Sequence, residues 1–228
     1  IAVLARRHAD IQSLLPFFRD AGVPIRYERE ESVLDAAPIV ALELLAKVVL
    51  AISDSRHDDA QALLPELLAH PAWGIAPTDL WRLSLTAYTN RQNWLEVMAT
   101  MPQFVEAFNW LAACAQQCTQ VALEPMLDML IGTPDTDTAS PFFTYFFSEK
   151  VLAKDPELYI THLSALRTIR THLREYQPGE ELFLKQLIDF ITLRRTLKMG
   201  IMAHQYSVSA DTSAVQLLTA HKSKGLEF

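Results

Sequence analysis

The chain has 228 residues, half of them hydrophobic, and a formal net charge of −7 at pH 7. That much apolar material can bury a substantial core in one large domain or two small ones, and the acidic balance excludes a chain that coats nucleic acid by bulk attraction. No uninterrupted apolar run reaches the length that spans a bilayer, and the start has neither the charged opening nor the small-residue cleavage pattern of a signal peptide, so no membrane contact and a cytoplasmic location are expected.

Ile1 to Ala5 is a short continuous apolar run of the kind found in buried parallel strands. Ile11, Leu14, Leu15 and Phe18 then fall at helical spacing, Gly22 stands where a helix ends, and Pro24 opens a second strand through Ile25 and Tyr27. This is a β-α-β pattern, with parallel strands and a right-handed crossover expected. Pro16 inside the helix would remove a backbone hydrogen bond at a cost of roughly 3 kcal/mol, which favours a later start with Ser13 as N-cap.

After Pro38 strand-like alternation disappears until the end of the chain. Ile39, Leu42, Leu45, Ala46 and Val49 predict a helix apolar over most of its surface and buried on several sides. Helices are predicted over Asp58 to Ala69, Thr78 to Tyr88, Asn93 to Thr100, Gln103 to Cys118 and Ala122 to Leu130, divided by Pro, Gly or Asn. Gly132 to Pro141 reads as a loop. Ile160, Leu163, Leu166, Ile169, Leu173 and Tyr176 form a stripe ended by Pro178-Gly179. A second long helix carries Phe183, Leu184, Leu187, Ile188 and Ile191, and the pair predicts a bundle-like core. Glu180-Glu181 reads as its charged first turn. Cys114 and Cys118 are the only cysteines, without a zinc spacing around them, and read as buried thiols.

Tyr206 to Ser213 is a polar linker into the last strand, where Val215, Leu217 and Thr219 alternate with Gln216, Leu218 and Ala220. His221-Lys222-Ser223-Lys224 follows directly, and Gly225 permits a tight approach. A strand end that feeds donors into a crevice is where nucleotide and phosphate chemistry collects in α/β folds.

The string Thr219-Ala-His221-Lys-Ser-Lys-Gly225-Leu-Glu227-Phe resembles motif V of the UvrD/Rep superfamily 1 DNA helicases, with wording closest to the RecB and AddA branch. Ile1-Ala-Val-Leu-Ala-Arg6, the helix after it and Ala21 to Tyr27 resemble the motif IVa region of the same family. The resemblance covers both ends strongly and the middle only in kind. It implies a mostly α chain in which an all-helical insertion, 2B-like and spanning 38–205, buds from a small, truncated RecA-like parallel α/β sheet built by 1–37 and 206–228, a discontinuous piece of motor domain 2A.

The resemblance also implies roles. Arg6 would contact the backbone of single-stranded DNA, and Thr219 and His221 would touch the bound strand, with Lys222 and Lys224 as weaker DNA contacts. Gly225 and Glu227 would approach the nucleotide, the Glu227 carboxylate accepting from a ribose hydroxyl. Such donors suit phosphate, whereas a carboxylate suits hydroxyls better than an anionic tail. The chain departs from the commoner family pattern at Arg7 and His8, where Thr or Ser and then Asn are usual. Its six glycines form no Gly-x-x-x-x-Gly-Lys-Ser/Thr phosphate cradle, so ATP and Mg are expected in a full-length parent and not in this piece alone. The partners implied are single-stranded and duplex DNA, the remaining helicase motor domains, and a nuclease domain or subunit.

Inside the insertion, Gly74 and Thr78 resemble the family's glycine-containing turn before a helix that faces duplex DNA. A Thr78 N-cap would leave helix amides pointing outward to hold a phosphate. The competing reading is an ordinary capped helix that packs Trp73 and Trp81 into the core. Arg167, Arg170 and Arg174 read as a solvated face, and the tryptophans as core more than as base-stacking platforms. Two functions follow: a piece of an ATP-dependent DNA helicase or helicase-nuclease, or a non-catalytic helicase-like scaffold for protein contacts in a DNA repair or recombination complex.

Overall fold

The computed structural model describes residues 1–27, 32–131, 140–203 and 214–220. The chain is mostly helical with a small parallel sheet, and it divides into two compact units, Ile1–Glu31 with Met202–Phe228, and Ser32–Ile201.

The first unit holds β1 (Ala2–Ala5), α1 (His8–Asp20), β2 (Ile25–Tyr27) and β3 (Val215–Thr219). The strand order is β1-β3-β2 and every pairing is parallel, so the strand from the far end of the chain lies between the two strands of the opening β-α-β pattern. Its composition explains the central position: Leu217, Leu218 and Thr219 are all buried, as a parallel strand covered on both faces requires. The Gln216 amide donates to the Ile1 carbonyl at 3.0 Å on one side, and the Val215 amide to the Pro24 carbonyl at 2.8 Å on the other.

Helix α1 starts at His8, not after Ser13, and Pro16 lies inside it. Two local bonds outweigh the proline rule: the Asp10 carboxylate accepts from the Arg7 amide at 3.2 Å, and the Ser13 hydroxyl donates to the Asp10 carbonyl at 2.8 Å. Burying Ile11 completely adds about 1.5–3 kcal/mol that a later start would forfeit. Gly22, at φ +64°, turns the chain out of α1 while the Val23 amide donates back to the Phe18 carbonyl at 3.0 Å, a Schellman ending.

The second unit is built around α2 (Ala37–Ser53), which packs against α3 (His57–Ala69), α6 (Val105–Gln117), α10 (Pro156–Tyr176) and α11 (Leu184–Thr196). Eleven of the seventeen α2 residues are buried, so its apolar surface is wrapped on most sides. Between these run α4 (Pro77–Asn90), α5 (Trp94–Met98), α7 (Leu123–Ile131), α8 (Pro141–Phe147) and α9 (Glu149–Lys154). Sequence periodicity did not anticipate α8 or α9. Of the stretch expected as a loop, Gly132 to Pro141, Ser140 caps α8 and Pro141 is its first residue, while 132–139 lie outside the described residues, as does all of the expected linker Tyr206 to Ser213.

The units divide at 31/32 and 201/202, a few residues from the positions 37/38 and 205/206 expected from sequence. The cause is the 3-10 turn Val33–Asp35, whose Val33 and Leu34 are buried in the helical unit and whose Val33 amide donates to the Ile201 carbonyl at 2.7 Å. Glu180 and Glu181 precede α11 instead of forming its first turn. The helix opens at Phe183, whose amide is taken by the Gln186 side chain at 3.0 Å. No helix among the described residues is long and apolar enough to cross a membrane.

Candidate functional site at the end of the parallel sheet

Because β1 and β3 run parallel with Ala5 opposite Thr219, both strands release their chains at the same sheet edge. The Ala220 amide donates to the Ala5 carbonyl at 2.9 Å, which extends the ladder one step past β3. Arg6, the next residue after β1, is exposed at that edge, and Thr219 is buried there at 6% exposure. Two of the residues singled out from sequence are therefore brought together by a pairing that joins the chain's distant ends. The carboxyl edge of a parallel sheet is the usual crevice for ligands, and an exposed guanidinium carries a permanent charge with several donors for phosphate.

Arg7 has a different job from Arg6. Its amide is bound by Asp10, and its Nε lies 3.9 Å from the same carboxylate, so it closes the start of α1. The amide end of that helix is thus occupied by the chain's own anion; Arg7 and Arg6 are both exposed, but only Arg7 has a carboxylate beside it among the described residues. His221, Lys222, Lys224, Gly225 and Glu227 lie outside the described residues.

The second candidate pair sits in the helical unit. Gly74 adopts φ +64° and ψ 15°, a left-handed conformation that ends the 3-10 turn Pro71–Trp73. His70 caps that turn, its Nδ1 accepting from the Ala72 amide at 3.2 Å. Thr78 is exposed but is not the N-cap of α4: that position is Ala76, with Pro77 first in the helix and Thr78 second. Proline needs no amide partner and its fixed φ suits the first helical position, so it sets the start ahead of the threonine. Asp79, in the same turn, pairs with Arg82 at 3.0 Å.

The tryptophans divide. Trp73 stands edge-on to Trp110 at 5.7 Å and to Phe142 at 5.8 Å, with its buried Nε1 lacking a partner, whereas Trp81 is 73% exposed on α4 and is not core. Of the arginine face, Arg170 and Arg174 are not freely solvated: Arg170 reaches Asp128 at 2.5 Å and Glu124 at 3.4 Å, and Arg174 reaches Glu124 at 2.7 Å, tying α10 to α7. Both cysteines are buried. Among the described residues no group of His, Cys, Asp and Glu is arranged to hold a metal ion.

No protein-family model matches the chain, and a search of curated proteins returns no match to it.

Proposed function

We propose that the chain is part of an ATP-dependent superfamily 1 DNA helicase of the UvrD/Rep type, or of a helicase-nuclease. In this reading the sheet unit is a piece of RecA-like motor domain 2A and the helical unit is its 2B-like insertion. One observation carries the proposal: strands from opposite ends of the sequence pair in parallel with the helical unit between them in the chain, and Arg6 and Thr219 share one sheet edge. A split motor domain interrupted by a helical insertion has that topology.

Arg6 then holds the backbone of single-stranded DNA, with Thr219, His221, Lys222 and Lys224 as further contacts on the same strand. Gly225 and Glu227 face the nucleotide. ATP hydrolysis supplies the free energy for unwinding in the full-length parent, where the phosphate cradle and the magnesium-holding carboxylates belong to segments other than those described. Leu4 and Phe17 stay exposed on the small sheet unit, at 53% and 71%, and the remaining motor domains are the natural cover for them.

The test uses the parent enzyme with His221→Ala and Glu227→Ala. Loss of DNA-stimulated turnover with near-normal ATP affinity is expected for the first, and weakened nucleotide use for the second. Parental rates in both would overturn the reading.

A further inference from the structure

On α4, Trp81, Leu85 and Tyr88 are 73%, 54% and 84% exposed. Their spacing of four and then three residues places all three on one helical face, so they form a continuous apolar ridge facing water. Beside the ridge runs an open cleft of about 840 Å³ that shares Tyr88 with it. Its polar lining residues are Gln61, Ser84, Thr89, Arg91, Gln92 and Asn93, with no Asp or Glu among them. Arg91 takes a left-handed backbone, at φ 54°, as the residue that ends α4, and its side chain has no ion-pair or hydrogen-bond partner among the described residues.

We infer that this ridge and cleft dock an amphipathic helix of a partner protein, one whose apolar face is edged by carboxylates. Exposed Trp and Tyr beside an unpaired Arg are the residue types that dominate binding at protein interfaces. A helix laid along α4 covers the ridge with its apolar side while its acidic edge enters the donor-lined cleft.

The other occupants fit less well. A symmetric contact between two copies through this face would set Arg91 near its own counterpart and bring no carboxylate to the cleft, whose lining has no Asp or Glu. A nucleic acid needs several cations along its phosphates. This face offers one unpaired guanidinium, since Arg82 is held by Asp79, in a chain of net charge −7.

The experiment measures fluorescence polarisation of a labelled synthetic helix of about four turns, with leucines along one face and glutamates at its edges. Lysine-edged and oligothymidylate probes serve as controls. The glutamate-edged helix is expected to bind the intact chain, to weaken with added salt, and to lose about tenfold or more in affinity with Arg91→Glu, Trp81→Ala or Tyr88→Ala. All three positions are exposed, so the variants should melt like the parent chain. No binding, equal binding of both peptides, no effect of Arg91→Glu, or preference for oligothymidylate each overturns the inference.

Discussion

Arg195 and Leu34 meet across the helical unit: the Arg195 Nη2 donates to the Leu34 carbonyl at 2.7 Å. The same guanidinium donates to Glu43 from Nε at 3.2 Å and to Asp35 from Nη1 at 3.2 Å, while Lys47 Nζ holds the other Glu43 oxygen at 2.7 Å. Glu43 is only 8% exposed, so these two cations offset the cost of burying its carboxylate.

Arg195→Met should therefore destabilise the helical unit by about 2–3 kcal/mol, because it strands part of a buried carboxylate and an otherwise bonded carbonyl. Arg195→Lys should recover less than half of that, since one ammonium cannot serve Leu34, Asp35 and Glu43 together. All four tryptophans lie in this unit, so intrinsic fluorescence during urea unfolding reports it selectively. An unchanged midpoint for Arg195→Met would show that the network contributes nothing.

The helical unit should also lose stability in mild acid. His162 packs edge-on against Phe146 at 5.3 Å and Phe147 at 6.3 Å, and its Nδ1 is buried without a partner. Burial pushes its pKa below the ordinary histidine value, partly opposed by the Phe146 backbone and the Asp155 charge. Burial lowers His70 in the same direction. Both imidazoles thus bind a proton less readily folded than unfolded, so their contribution is complete above the unfolded value of about 6.5 and is lost as pH falls below it through the depressed folded values. The melting temperature should drop between about pH 7 and 5, and His162→Leu should flatten that slope. An equally steep slope in the variant would remove His162 from the account.

These particulars show where the sequence was legible. Helix α2 could be read because apolar residues cover most of its circumference, a signal that tertiary packing only reinforces. The central strand could be read because three of the five residues from Val215 to Thr219 are apolar, Val215, Leu217 and Leu218. Helix α8 could not: Pro-Phe-Phe-Thr-Tyr-Phe-Phe has no 3.6-residue alternation, and what holds it is distant, with Phe142, Tyr145 and Phe146 each within 6 Å of the His70 ring and the Ser140 hydroxyl bonded to the Leu130 carbonyl. At α4 the informative signal was Pro77, not Thr78. At α1 the proline rule was correct in kind, but two short-range side-chain bonds and one buried isoleucine outweighed it. The sheet edge was legible in part, as Arg6 and Thr219, while the donors that follow Ala220 are outside the described residues.

The two thiols should be inert in the folded chain. Cys114 on α6 and Cys118, which caps its end, are each 1% exposed, and burial, with Cys118 adding to it, pushes the Cys114 thiol up to about 12. At pH 8 that leaves on the order of one thiolate in ten thousand at Cys114, behind a packed core. A disulfide-exchange reagent should label neither cysteine without denaturant and both in urea. Rapid native labelling would mean that α6 opens far more often than its burial implies.

Stability and DNA binding should separate at the turn before α4. Gly74 has open space where a Cβ would go, so Gly74→Ala should cost only the left-handed backbone penalty, about 1 kcal/mol. Thr78→Asp places a carboxylate in the first turn of α4, where the helix dipole favours it by about 0.3–1 kcal/mol, so the helical unit should melt no lower than the parent. If Thr78 and Gly74 touch a duplex backbone, that same carboxylate repels phosphate and duplex affinity of the full-length motor should fall about tenfold. Duplex affinity that stays at the parental level while the melting point holds would assign Gly74 and Thr78 to turn geometry alone, because the substitution would then have changed the charge facing the DNA without disturbing the fold.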